Sequence, residues 1–185
     1  MEWIAGWLVL AAVGSAPPSS GGPCALLARD SIAAVQGARV VSVKESGAKA
    51  AEVERRSCFF ETDPFAKSVS LEWTKEIAPG AARRRWDRTF HAAKEDEEDE
   101  KSSRAESREK EEGEHERPAK PPEPVPGVGD EAFWVASPAS GAFYAIAGSS
   151  SVRISVGGPG GATDKRERSK KLAREAVKAL ESREK

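Results

Sequence analysis

Apolar residues fall in short groups along this chain, and their spacing changes from group to group. Leu27, Ile32 and Val35 recur at helical spacing, and Gly37 follows where a helix C-terminus favours glycine, so residues 29–36 are predicted to form a short first helix. Residues 40–43 read as a strand. A polar stretch interrupted by Gly47 (residues 44–56) separates them from a second candidate at 57–62, which ends in an Asp63-Pro64 turn. In residues 68–74, Val69, Leu71 and Trp73 alternate with polar side chains. That alternation predicts a strand covering a core on one side, with its other face toward solvent or a partner. Pro79 can open a second helix, expected over 80–93, in which Ala81, Ala82, Trp86, Phe90 and Ala93 fall mostly on one face.

The pattern resumes after a long interruption. A glycine turn at 127–129 feeds a strand ending at Val135, and residues 142–147 and 151–156 are two further strands in an antiparallel meander. Asp164, with Glu167 three residues on, resembles a capping box opening a last helix with Leu172, Ala176, Val177 and Leu180 on one face. Runs of strands between single helices predict an α+β domain. It should hold an antiparallel sheet of about six strands in two runs of three, with helices packed on one face in the order α-βββ-α-βββ-α.

The charged segment between these two groups of elements cannot bury a face. Residues 94–117 carry 12 acidic and 6 basic side chains and one apolar residue, Ala105. Pairs such as Glu97/Lys101 and Glu106/Lys110 leave a solvated helix and disorder both open. Five prolines in 118–126 predict an extended connector, so 94–126 is an insert between two parts of one domain, 24–93 and 127–185. Residues 3–13 form an apolar run too short to span a bilayer, followed by small residues and two prolines. Residues 1–16 therefore read as a signal peptide and 17–23 as a flexible linker. The acidic Glu2 and the absence of a basic residue before Arg29 depart from that pattern, and a buried N-terminal helix is the alternative.

Composition narrows the function classes. The 185 residues include 29 Lys+Arg and 30 Asp+Glu, which argues against a nucleic-acid binder relying on bulk positive charge. Mean hydropathy is −0.55 and no apolar run reaches about 20 residues, so no transmembrane anchor is expected after processing. The neutral total is a cancellation, with the insert at −6 and the processed remainder near +6. Cys24 and Cys58 are expected to pair in an oxidising compartment, closing a loop of about 35 residues that would stabilise the fold by roughly 4 kcal/mol. Two free buried thiols are the alternative.

Candidate chemistry is sparse. His91 and His115 are the only histidines, no Cys/His cluster has metal-ligand spacing, and no nucleophile-elbow motif occurs. No metal or cofactor is therefore expected. Residues 157–161 (GGPGG) lie before a helix start but lack a phosphate-loop ending, and read as a flexible reversal. Asp130 is expected to make a turn hydrogen bond beside Gly129 and Glu131 to be solvated. Arg83, Arg84, Arg85 and Arg88 form a basic cluster that, with Asp130 and Glu131, is the candidate interaction surface.

Three groups of residues carry a resemblance: Cys24-Ala25-Leu26-Leu27 with a short helix ending at Gln36-Gly37, Arg56-Ser57-Cys58-Phe59-Phe60, and the Gly127-Val128-Gly129-Asp130-Glu131-Ala132-Phe133-Trp134 segment. Together they resemble small exported bacterial proteins of unknown function, over about residues 23–92 and 125–180. The resemblance implies an exported domain with a disulfide, and supplies a compartment and an architecture only. This chain differs in having Ala28 where a capping Thr or Ser is usual, in its charged insert, and in lacking a lipid-attachment box before Cys24. The expected function is a non-enzymatic binding or protein-interaction module, secreted or periplasmic, whose partner is an envelope protein or anionic envelope polymer. The alternatives are a structural accessory domain, or a hydrolase or transferase in which Asp130, Glu131, Arg153 or Glu61 converge in one pocket.

Overall fold

A computed structural model describes residues 21–91, 121–137 and 140–183. The signal-peptide, linker and insert assignments at 1–20 and 92–120 lie outside these residues. The chain forms helix α1 (Arg29–Gln36), strands β1 (Arg39–Lys49), β2 (Val53–Asp63) and β3 (Val69–Glu76), and helix α2 (Ala81–Phe90). Strands β4 (Glu123–Pro124), β5 (Glu131–Ala136), β6 (Gly141–Ala147) and β7 (Ser150–Val156) and helix α3 (Ala162–Arg183) follow. The architecture is α+β, as predicted, on one antiparallel sheet ordered β1-β2-β3-β7-β6-β5-β4.

Seven strands replace the expected six because the proline-rich connector contributes β4, which pairs with Trp134 and Phe133 at the sheet edge. Proline is tolerated there because an edge strand leaves one side of its backbone unpaired. Strands β1 and β2 are also much longer than their apolar segments, pairing from Arg39↔Asp63 to Lys49↔Glu54. The polar stretch between them continues the hairpin, held by the backbone ladder, an Arg56–Glu45 ion pair, a 2.7 Å hydrogen bond between the Ser46 and Ser57 hydroxyls, and the pairing of β2 with β3 from Val53↔Glu76 onward. Backbone pairing needs no apolar alternation, which is why the pattern stopped short of it.

Strand register sorts side chains into rows across the sheet. Cys58, Leu71, Ile154, Phe143 and Trp134 stand side by side across five strands and are all buried. Ile32 of α1 and Leu172, Ala176, Val177 and Leu180 of α3 join them in the main core. A Cys24–Cys58 disulfide ties the turn before α1 to the middle of this face, and Leu26 and Leu27 are buried beside it. α1 keeps its predicted bounds and ends at Gly37 with φ 57°, a conformation favoured by glycine.

α3 begins two residues earlier than Asp164. Asp164 instead accepts a 3.2 Å hydrogen bond from the Gly161 N–H, so it serves as the reaching-back acid of a cap rather than as the capping residue. The glycine loop before it is tied down: Arg168 donates to the Gly157 and Pro159 carbonyls at 3.2 and 2.8 Å and to the Gln36 Oε1 at 2.8 Å.

The expectation that all helices share one face is overturned by α2. Its Ala82, Trp86 and Phe90 pack with Phe133 and Ile146, which alternate with the core-facing residues of β5 and β6 and therefore project from the opposite face. β6 is consequently covered on both sides and only its Tyr144 remains half-buried.

Candidate functional site

The face carrying α2 changes character from one side to the other. One row runs Phe133, Tyr144, Arg153, Glu72, Ser57 from β5 to β2, and the next runs Glu131, Ile146, Ser151, Thr74, Arg55. Apart from Glu131, the β5 and β6 positions of these two rows are aromatic or aliphatic, while their β7, β3 and β2 positions are charged or carry hydroxyls. α2 buries its apolar stripe on the first half and stops at the boundary. Its flank and the polar half of the sheet then form the two walls of a cleft.

The helix is positioned by aromatic packing and by one carboxylate. The Phe90 ring stacks on Phe133 with centroids 4.7 Å apart, and Trp86 lies 4.4 Å from Phe90. Beneath them Glu131 accepts a 2.8 Å hydrogen bond from the Trp86 indole N–H, lies 3.0 Å from His91 Nε2 and pairs with Arg83 at 3.2 Å. Glu131 is thus the clamp of α2, not a solvated residue. Burial pushes its carboxyl upward, but the hydrogen bonds from His91 and Trp86 and the charges of His91 and Arg83 outweigh that and hold it below its ordinary value. At the other end of α2, which begins after Gly80 at φ 75°, the Glu76 carboxylate accepts from the Ala82 N–H at 3.3 Å.

The cleft has a volume of about 240 Å³. Arg85 and Thr89 reach it from α2, Tyr144 and Arg153 from β6 and β7, and Arg55 and Glu72 from β2 and β3. Arg153 donates from Nε to the Tyr144 hydroxyl at 3.0 Å, with its guanidinium carbon 5.7 Å from that ring's centre. Arg55 is paired with Glu72 at 3.4 Å. Among the described residues, Arg85 and Arg153 have no carboxylate partner.

The expected interaction surface is divided by this geometry. Arg83 is engaged with Glu131 and Asp87, Arg84 donates to the Pro79 carbonyl at 3.0 Å, and Arg88 is exposed outside the cleft. Arg85 alone of the four lines the cleft, with Thr89 one turn on; Arg84 and Arg83 point about 100° and 200° away from it around the helix, and Arg88 lies about 60° to its side. Asp130 accepts from the Gly148 N–H at 2.8 Å, 18 residues along the chain, rather than within its own turn beside Gly129. The four residues of the enzymatic alternative hold separate partners: Asp130 with Gly148, Glu131 with α2, Arg153 with Tyr144, and Glu61 with Lys44 at 3.0 Å. Sequence reasoning missed Arg55, Arg153 and Tyr144 as neighbours of Arg85. The available signal was β6, whose apolar residues at nearly every position mark a strand covered on both faces.

No known protein family, curated protein or solved structure matches the chain. Among the described residues, no group of three His, Cys, Asp or Glu could hold a metal ion, and no helix is long and apolar enough to cross a membrane.

Proposed function

We propose that this chain is an exported binding module of the bacterial cell envelope or exterior, and that the α2 cleft is its contact site. The observation carrying the reading is the pair of arginines without carboxylate partners, Arg85 and Arg153, set on facing elements of one cleft. Guanidinium groups left unneutralised beside a concave surface attract an anionic partner. The reading of export is supported by the signal-like residues 1–16, by the resemblance to exported bacterial proteins and by the disulfide, since such bonds persist in oxidising compartments.

Expression of the full chain in a bacterial host, with fractionation and mass measurement of the mature N-terminus, tests the export. A chain trimmed near Ala16, found outside the cytoplasm and gaining two hydrogens on reduction, is expected. An untrimmed cytosolic chain with free thiols overturns it. Binding is tested by retention of the purified chain on an isolated envelope fraction, and absence of retention at low salt removes the module reading.

A further inference from the structure

We propose that the α2 cleft binds one residue of an anionic polysaccharide at a time, with Arg85 and Arg153 gripping its acidic group. This rests on the binding-module reading and names the ligand of the same site. Charge is the first argument. The cleft holds Arg55, Arg85 and Arg153 against Glu72 alone, and Glu72 is already matched by Arg55. Arg153 is pre-oriented by its Nε–H bond to Tyr144 and by the ring beneath it, which leaves its terminal nitrogens for a second acceptor. A planar guanidinium held in this way fits a carboxylate or sulfate through paired hydrogen bonds.

Size and wall chemistry supply the rest. At about 240 Å³ the cleft is smaller than the roughly 300–1,000 Å³ of sites that enclose a whole small molecule, so it suits a single unit of a longer chain. Thr89, Ser151 and Thr74 line it, and Ser57, Ser70 and Ser155 continue on the same sheet face. Hydroxyls both donate and accept, as sugar hydroxyls do. An acidic peptide could not add as a strand here, because β2, β3 and β7 each already pair on both sides; it would be held by its side-chain carboxylates alone, and poly-glutamate tests that case.

The test measures retention of the full chain on immobilised polygalacturonate, dextran sulfate, neutral dextran and poly-glutamate at near-physiological salt, beside the envelope fraction. Binding to polygalacturonate, dextran sulfate or both is expected, and the pair separates carboxylated from sulfated sources. Arg85→Gln and Arg153→Gln should each weaken it roughly tenfold, the loss of one charge-assisted contact. Arg88→Gln, exposed on the same helix but outside the cleft, should leave it unchanged. Arg85 is itself exposed, so its variant should fold like the parent, which circular dichroism checks. Equal retention on poly-glutamate, or equal weakening by Arg88→Gln, overturns the glycan site in favour of diffuse charge. Retention on the envelope fraction with none on either acidic polysaccharide overturns the ligand and leaves the module standing. Loss of retention on every support overturns both.

Discussion

Replacing Glu131 with alanine should loosen α2 without releasing it. The carboxylate takes the Trp86 indole N–H at 2.8 Å, and Trp86 is only 4% exposed, so the variant strands a buried donor. Leaving such a group without its acceptor costs about 1–3 kcal/mol. The contacts to His91 and Arg83 are partly open to solvent and add about 0–1 kcal/mol. Trp86 and Phe90 still anchor the helix, since truncating a buried aromatic costs about 3–5 kcal/mol each. The net loss should be about 1–4 kcal/mol, with melting temperature falling roughly 2–4 °C per kcal/mol for a chain of this size. Thermal unfolding followed by circular dichroism at pH 7 measures it. The pH dependence supplies the sharper check. Because the folded carboxyl is held below its ordinary value of 4.5, its stabilisation is fully present above that value and is lost as pH falls through the lowered folded value. The gap between parent and Glu131→Ala should therefore narrow as pH falls below 4.5 and through the lowered folded value. A gap that stays constant over that range, or a variant as stable as the parent at pH 7, would refute the clamp.

Three further outcomes follow from the packing. Replacing Cys24 and Cys58 together with alanine should cost about 4 kcal/mol in urea unfolding, because the bond closes a loop with a sequence separation of 34; an unchanged midpoint would deny the disulfide any stabilising role. Ala28→Ser should stabilise by about 1 kcal/mol, because Ala28 has the extended φ −73°, ψ 142° of a helix N-cap but no side-chain cap, and the melting temperature reports it. Gly141→Ala should destabilise by about 1–3 kcal/mol, because a methyl group there would overlap the buried Trp134 ring, and near-ultraviolet circular dichroism should show that ring displaced.

What could be read from the residues alone was whatever depends on near neighbours. The bounds of α1 follow from Ile32 and Val35 on one stripe and from a glycine able to adopt φ 57°. The inward set Val69, Leu71 and Trp73 follows from alternation, since a strand points successive side chains to opposite faces. Asp130 does not belong to this set, because its carboxylate accepts from the Gly148 N–H 18 positions away rather than from its own turn. Glu131, one residue further along, shows where that reach ends. A polar side chain at a strand start looks solvated until the helix holding Trp86, 45 positions earlier, is placed above it.

The sheet's second face was decided in the same way. Periodicity reports how many sides an element buries but not which neighbour covers them, so it could not say that α2 lies opposite α1 and α3. Nor could it bring Arg85 of a helix together with Arg55 and Arg153 of two strands, because their meeting depends on register across β2, β3 and β7. The sequence by itself determined the three helices, the apolar segments of six strands with the inward residues of β3, and the composition of the charged segments. The tertiary structure decided which face each helix covers, and hence the cleft, because that choice is made by complementary apolar rows on strands far apart along the chain.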